Sequence, residues 1–142
     1  MKRTITYVFI FFTLIFGIGG SCKKSSGGGG GGGGEPTLQV TLNPPANSTQ
    51  PAAPGTDFPL TVTITSVIPA QGVTIDVAAK KDDGSGEPPF FVLNNPGTTA
   101  SVTNINITNT PLNVICMTTV TVTSKTSSTN KWIGSYRYSR KP

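Results

Sequence analysis

The feature that most constrains the fold is a two-residue alternation of apolar and polar side chains, which recurs after residue 35. The segments FPLTVTIT (residues 58–65) and VTIDVAAK (residues 73–80) show it clearly. Successive side chains of an extended strand point to opposite faces, so this pattern places the apolar residues on one face. The sequence therefore predicts β-sheets with one buried face and one solvated face.

Seven such segments are separated by stretches rich in Pro, Gly and Asn, which break strands. The predicted strands cover residues 37–42, 58–65, 73–80, 90–93, 100–108, 112–124 and 131–139. Seven short strands within residues 35–142 predict one all-β domain, built as a two-sheet antiparallel sandwich. In the fifth segment the apolar residues change phase between Val102 and Ile105, which predicts a β-bulge.

This series of strands resembles the immunoglobulin-like and fibronectin-type-III-like group of β-sandwiches. The resemblance implies a fold of about seven antiparallel strands. The Cys…Trp…Cys signature of true immunoglobulin domains is missing, since Cys116 is the only cysteine in the segment and Trp132 comes after it. Sandwiches of this kind support many functions, so the resemblance implies no activity.

The first 21 residues have the organisation of a signal peptide. Lys2 and Arg3 precede an apolar run over residues 5–18, and small residues then lead to Cys22. As a helix, this run would span about 21 Å, whereas the hydrocarbon core of a membrane is about 30 Å thick. The run is short for a transmembrane helix, so we expect an export signal.

The sequence Gly19-Gly20-Ser21-Cys22 resembles the lipobox of bacterial lipoproteins. The resemblance implies signal cleavage between Ser21 and Cys22 and attachment of acyl chains to Cys22. Lys23 replaces the aspartate that signals retention in the inner membrane, so the resemblance implies an anchor in the outer membrane. Gly19 stands where the family has an aliphatic residue. Ordinary cleavage, which would give a secreted or periplasmic sandwich without a lipid anchor, therefore stays open.

Residues 22–34 are predicted to be a flexible tether between the lipidated cysteine and the folded domain. Two lysines, two serines and eight consecutive glycines follow Cys22. Such a chain has a root-mean-square reach of about 17–21 Å. This reach would hold the domain clear of the lipid headgroups.

The net charge of +5 belongs mostly to the N-terminal region. Four of the eleven basic residues are Lys2, Arg3, Lys23 and Lys24, which leaves seven in the domain against all six acidic residues. A nucleic-acid partner would require a basic stripe on the folded surface. The sequence therefore predicts no nucleic-acid binding.

The sequence also predicts neither an enzyme nor a cofactor. The chain has no histidine, which is the commonest general acid or base. Its six acidic residues are scattered, and no two of them stand out as the carboxylate pair that glycoside hydrolysis requires. Cys116 lies on the same face of its predicted strand as Val120 and Val122, so we expect Cys116 to be a buried core residue. The alternatives are a reactive thiol or a disulfide with Cys22, which would conflict with lipidation of Cys22.

The loop of residues 81–89 carries Asp82, Asp83 and Glu87 beside two glycines. Carboxylates are suitable ligands for Ca²⁺, but their spacing here differs from that of an EF-hand loop. We therefore expect a solvated turn, and no metal site is predicted.

Four aromatic residues are candidate ligand-binding residues, namely Phe91, Trp132, Tyr136 and Tyr138. The last three are separated by even numbers of positions, so they lie on the same face of the predicted strand over residues 131–139. Rings on an exposed face could stack on a sugar or a protein partner. On a buried face they would be core residues, which strand alternation favours for Trp132 and Tyr136.

These features predict a membrane-anchored, non-catalytic envelope lipoprotein that acts as a binding, adhesion or assembly module. Its expected partners are membrane lipid, through acylated Cys22, and an envelope protein or a glycan. Two further alternatives stay open. One is a carbohydrate-binding module that uses exposed aromatic residues, and the other is an assembly subunit that adds a strand at an open sheet edge.

Overall fold

The computed structural model describes residues 34–142. The predicted signal peptide (residues 1–21), the predicted lipid site at Cys22 and the tether up to residue 33 lie outside the described residues. From residue 34 to the end of the chain, no helix is long and apolar enough to cross a membrane.

The described residues fold into seven β-strands and contain no α-helix. Loops rich in proline, glycine and asparagine connect the strands, because these residues favour turns. The prediction of an all-β domain with seven strands is confirmed. The strands are β1 (Val40–Asn43), β2 (Phe58–Ile64), β3 (Val73–Lys81), β4 (Phe91–Thr98), β5 (Val102–Ile107), β6 (Ile115–Ser124) and β7 (Lys131–Ser139).

The strands form two antiparallel sheets, as predicted for a sandwich. One sheet has the order β1-β2-β5, and the other has the order β4-β3-β6-β7. The long central pair β3–β6 stays in register from Val73↔Ser124 to Lys81↔Cys116. β4 joins β3, whereas the fourth strand of immunoglobulin constant-type domains joins the other sheet.

Alternate side chains of both sheets form one hydrophobic core. In β3, every second residue from Val73 to Ala79 is at most 1% exposed. The three-stranded sheet contributes Leu60, Val62 and Ile107, which are buried to the same degree. Burial of a Val, Leu or Ile side chain contributes about 1.5–3 kcal/mol, so the two-residue alternation directly supplies the stability of the sandwich.

The predicted bulge in β5 is wrong. β2 and β5 pair without a register shift from Phe58↔Ile107 to Thr63↔Val102. Val102 is 48% exposed and lies on the outer face of the sheet. A single exposed valine at the end of a strand is ordinary in proteins, so the apolar pattern changes phase without any change in the backbone.

A register shift occurs instead in β4, between the pairs Ile75↔Asn95 and Val73↔Thr98. This stretch contains Pro96, which has no N–H to donate to a β-ladder. The extra residue lets the strand continue past the proline. β4 is therefore longer than the predicted strand over residues 90–93.

Gly72 precedes β3 at a position that only glycine fits. Its φ is 78°, and a Cβ atom there would lie 2.5 Å from Thr98 O. Gly72 N donates a hydrogen bond to Pro69 O (2.8 Å), and Gly72 O accepts one from Lys125 N (3.0 Å). These hydrogen bonds join the start of β3 to the preceding turn and to the residue after β6, while the missing side chain leaves room for Thr98 at the end of β4.

Replacing Gly72 with alanine should destabilise the domain by more than about 2 kcal/mol, because the left-handed φ and the backbone overlap both carry a cost. The matched control is Gly84→Ala, where φ is 75° but the space around the new Cβ is open. Urea unfolding of the two variants measures the difference. Equal losses of unfolding free energy would show that the close approach to Thr98 has no steric role.

Candidate functional site

After β1 the chain crosses to the other sheet. The Asn43–Pro44 peptide bond is cis, and the following residues 44–54 contain four prolines. Proline disfavours helices and central strands, so this proline-rich segment (residues 44–54) runs as an extended connection. It lies parallel to β7, as the bridge between Thr49 and Arg137 shows.

Main-chain hydrogen bonds hold the proline-rich segment on the outer edge of β7. Asn47 N donates to Ser135 O (2.7 Å), and Arg137 N donates to Ser48 O (2.9 Å). Gln50 N in turn donates to Arg137 O (2.8 Å). These bonds satisfy main-chain groups that an edge strand would otherwise leave to solvent. The proline-rich segment therefore covers this edge of the sheet.

An apolar cleft of about 370 Å³ lies between the proline-rich segment and the inner face of the sandwich. Its lining consists mainly of proline rings, alanine methyl groups and aromatic rings. The lining residues include Pro51, Ala52, Pro54, Phe58, Tyr136 and Tyr138. A concave apolar site of this size falls within the range of small-molecule pockets.

Three aromatic rings form the floor of the cleft. The ring centroids of Phe58 and Tyr138 lie 4.6 Å apart, and those of Tyr136 and Tyr138 lie 5.8 Å apart. Tilted aromatic pairs at these distances attract each other. Phe58 belongs to β2 and Tyr138 to β7, so their contact joins the two sheets beneath the cleft.

The two tyrosine hydroxyl groups have different surroundings. Tyr138 Oη lies 3.4 Å from Thr110 Oγ1. Tyr136 Oη and Thr118 Oγ1 are both buried, and neither has a partner in good hydrogen-bonding geometry among the described residues, although the neighbouring Thr118 hydroxyl offsets part of the effect of burial on the pKa of Tyr136. Burial raises the pKa of Tyr136 to about 12, and it also raises the pKa of Tyr138. Both side chains are therefore neutral at physiological pH, so the floor of the cleft carries no charge.

The cleft suits a ligand that is mainly apolar. Apart from the two tyrosines, Gln50 supplies the polar side chain in the described lining, and its amide already donates to Ser48 Oγ (2.7 Å). A sugar would bury several hydroxyl groups, each of which needs a hydrogen-bond partner. The geometry instead favours an aromatic or aliphatic group that packs against rings and methyl groups.

The structure separates the four candidate aromatic residues into three places. Tyr136 and Tyr138 lie in the floor of the cleft and are each 2% exposed. Trp132 is half-buried, and its indole lies over Gly134. Phe91 is half-buried on β4, where it lines a groove beside β5. The four rings therefore form no single platform, although Tyr136 occupies the core position that strand alternation favours.

Cys116 is a core residue of β6 with no exposed surface, as its strand parity predicts. Its thiol lies 3.6 Å from Val114 O. Burial raises the pKa of Cys116 to about 11. The thiol is therefore protonated and inaccessible at neutral pH, which makes it a poor nucleophile.

The acidic loop of residues 81–89 forms ion pairs near the end of β3. Glu87 pairs with Lys81 (2.7 Å), and Asp82 pairs with Arg137 (2.5 Å). The two carboxylates therefore point to different cations. Within residues 34–142, no group of three or more His, Cys, Asp or Glu residues is arranged to hold a metal ion.

No family model, curated protein or solved structure matches the chain at a significant level. A β-sandwich by itself assigns no function. The geometry and chemistry of the cleft are therefore the basis for a functional proposal.

Sequence reasoning missed the cleft. The proline-rich segment has no apolar alternation, so its pattern predicts only a loop. Its partner β7 lies at the other end of the domain sequence, and a loop does not encode its distant partner. The one available signal was the cluster of prolines and alanines over residues 51–54, which is unusually apolar for an exposed loop.

Replacing Tyr136 with phenylalanine should leave the free energy of unfolding unchanged or raise it by up to about 1 kcal/mol, since a buried hydroxyl without a partner is removed. Tyr138→Phe is the matched control. It removes the contact with Thr110 and should cost about 1 kcal/mol. Denaturant unfolding of both variants measures the effect, and a loss at Tyr136 as large as that at Tyr138 would contradict the assignment.

Proposed function

We propose that this chain is a lipid-anchored envelope protein whose β-sandwich is a non-catalytic binding module, with the apolar cleft as its binding site. The observation that carries the proposal is the way the cleft is built. Main-chain hydrogen bonds hold the proline-rich segment over a packed floor of Phe58, Tyr136 and Tyr138. A site held in this way is preformed, which reduces the entropy cost of binding.

The sequence around Cys22 supports the anchor. A short apolar run leads to Gly20-Ser21-Cys22, and a glycine-rich tether follows. Two or three acyl chains would hold the protein firmly in a membrane, whereas one chain gives marginal binding. In this arrangement, the tether lets the domain turn and search for its ligand near the membrane surface.

The lining of the cleft defines the class of ligand. Proline and alanine side chains form one wall, and neutral aromatic rings form the floor. Each buried CH₂ group of a ligand contributes about 0.8 kcal/mol, while a charged group would lose its hydration without a partner. The proposed ligand is an uncharged aromatic or aliphatic group of an envelope molecule or protein.

A carbohydrate-binding module is the second candidate. The observation in its favour is that Trp132 and Phe91 are only half-buried, so part of each residue stays accessible. These residues lie on β7 and β4, which are the two outer strands of the four-stranded sheet. A sugar would therefore stack on one ring at a time, which favours the cleft as the stronger binding site.

The anchor is tested by the intact mass of the protein purified from bacterial membranes, beside a Cys22→Ser variant. The expected mass corresponds to a chain that begins at Cys22 and carries acyl chains. The variant should lose both the acyl mass and the membrane association. An unmodified chain that begins near Ser21 or Cys22 would contradict the anchor and indicate a secreted or periplasmic domain.

The cleft is tested with phenylnaphthylamine, a neutral apolar dye whose fluorescence rises in apolar sites. The Cys22→Ser chain is used, because acyl chains would take up the dye. Ala52→Arg introduces a charge at an exposed position of the lining and should weaken dye binding at least about tenfold. Thr41→Arg, at an exposed position of β1, is the control. Equal dye binding by both variants would contradict the assignment of the cleft as the binding site.

A further inference from the structure

Three of the four outer strands of the two sheets are protected against pairing with another strand. The proline-rich segment covers β7. β1 has four residues, and Pro44 and Pro45 follow it at once. β4 follows Pro89, contains Pro96 and carries the register shift. Short strands, prolines and bulges are devices that protect sheet edges from association.

β5 has none of these protective features. No proline and no charged residue occurs within residues 100–108. β2 pairs with one side of β5, and no strand of the described domain pairs with its other side. Alternate residues of an antiparallel strand direct their main-chain groups to each side, so about three N–H and three C=O groups of β5 point away from β2.

A groove of about 520 Å³ runs beside this free edge, between β5 and β4. Phe91 and Leu93 line it from β4 as half-buried side chains, and Ile105 lines it from β5. A strand added to β5 would direct every second side chain toward the core side of its sheet. Those side chains would cover the exposed parts of Phe91 and Leu93.

We propose that the free edge of β5 pairs with β5 of a second copy of this chain, antiparallel and around a two-fold axis. Both copies must keep their core faces on the same side of the joined sheet. A core-facing residue of one copy must therefore lie opposite a core-facing residue of the other copy. We assign the register that places Ile105 opposite Ile105 of the second copy. Asn104 then lies opposite Asn106 of the second copy.

The charge distribution favours a second copy as the occupant over a charged partner. The side chains of β5 and of the groove carry no charge, so two identical edges approach without repulsion between like charges. The seven basic and six acidic residues after residue 34 nearly cancel. Long-range repulsion between two domains is therefore small.

The hydrogen-bonding groups of β5 are also self-complementary. A carboxamide both donates and accepts, so Asn104 of one copy and Asn106 of the other can bond across the axis. Asn104 Oδ1 already accepts from Thr61 Oγ1 (3.0 Å), which leaves its NH₂ group to donate to the second copy. One two-fold rotation covers both edges and both grooves, as an isologous interface requires.

The test uses two differently tagged copies of the full chain, co-expressed in bacteria and treated with an oxidant. One copy carries Asn104→Cys and the other carries Asn106→Cys. In the assigned register these two positions are direct neighbours, so a disulfide-linked dimer with both tags is expected. Two Asn104 Cα atoms would lie more than about 7 Å apart, which is too far for a disulfide.

Each single variant should therefore give no more linked dimer than the parent chain, which keeps Cys22 and Cys116. Thr41→Cys co-expressed with Asn43→Cys is the matched control, because both positions are exposed and have the same spacing on β1. The inference is overturned by a missing mixed dimer, by equal linkage in the β1 control, or by a link to a protein of different mass. The linkage is read in any cell fraction, so it does not depend on the lipid anchor.

A second measurement uses the mass of the extracted full chain by light scattering. The parent should be a dimer, and Asn104→Lys should raise its dissociation constant at least tenfold, because a lysine on an edge strand opposes pairing. Thr41→Lys should leave the dimer intact, and circular dichroism checks that both variants fold. A monomeric parent, or a dimer that Asn104→Lys does not weaken, would overturn the inference.

Discussion

The strands of this domain bury every second side chain, and this constraint governs both the core and the surface. In β3 it directs valine and isoleucine inward, and in β7 it directs Tyr136 and Tyr138 inward, with Arg137 between them on the outer face. It also places Cys116 in the core, where the thiol is inert. Tyr136 and Tyr138 follow the same rule, so the floor of the cleft is a continuation of the core rather than a separate surface.

The edge strands on the two sides of the sandwich are covered to different degrees. On one side, the proline-rich segment covers β7 and leaves an apolar cleft beneath it. On the other side, β4 and β5 end the two sheets, no segment within residues 34–142 pairs with their free edges, and a groove lies between them. The same domain thus has one apolar cleft, whose lining matches a small apolar group, and one unpaired sheet edge, whose main-chain groups match another strand. Neither the lining of the cleft nor β5 carries a charged side chain, so both offer a partner apolar packing and hydrogen bonds rather than ion pairs.

Much of the fold could be predicted from the sequence, because the alternation of residues reports burial at each position. It gave the seven strands and the core position of Cys116. The alternation wrongly predicted a bulge in β5, because Val102 is apolar although it lies on the exposed face. It did not predict the register shift in β4, which occurs beside Pro96, a residue without an N–H. The cleft depends on a contact between distant segments, Gln50 with Arg137 among them, and no local pattern specifies such a pairing.

The bonds that hold the proline-rich segment also determine when the cleft can exist during synthesis. Lys141 N donates to Ala53 O (3.0 Å), and Ala53 N donates to Ser139 O (3.2 Å). The residues around Ala53 are made before their partners in β7 and just after it. The central strands can pair before then, whereas the wall of the cleft has nothing to bind. The wall of the cleft therefore takes its place only after β7 has been made, later than the first pairing of the central strands.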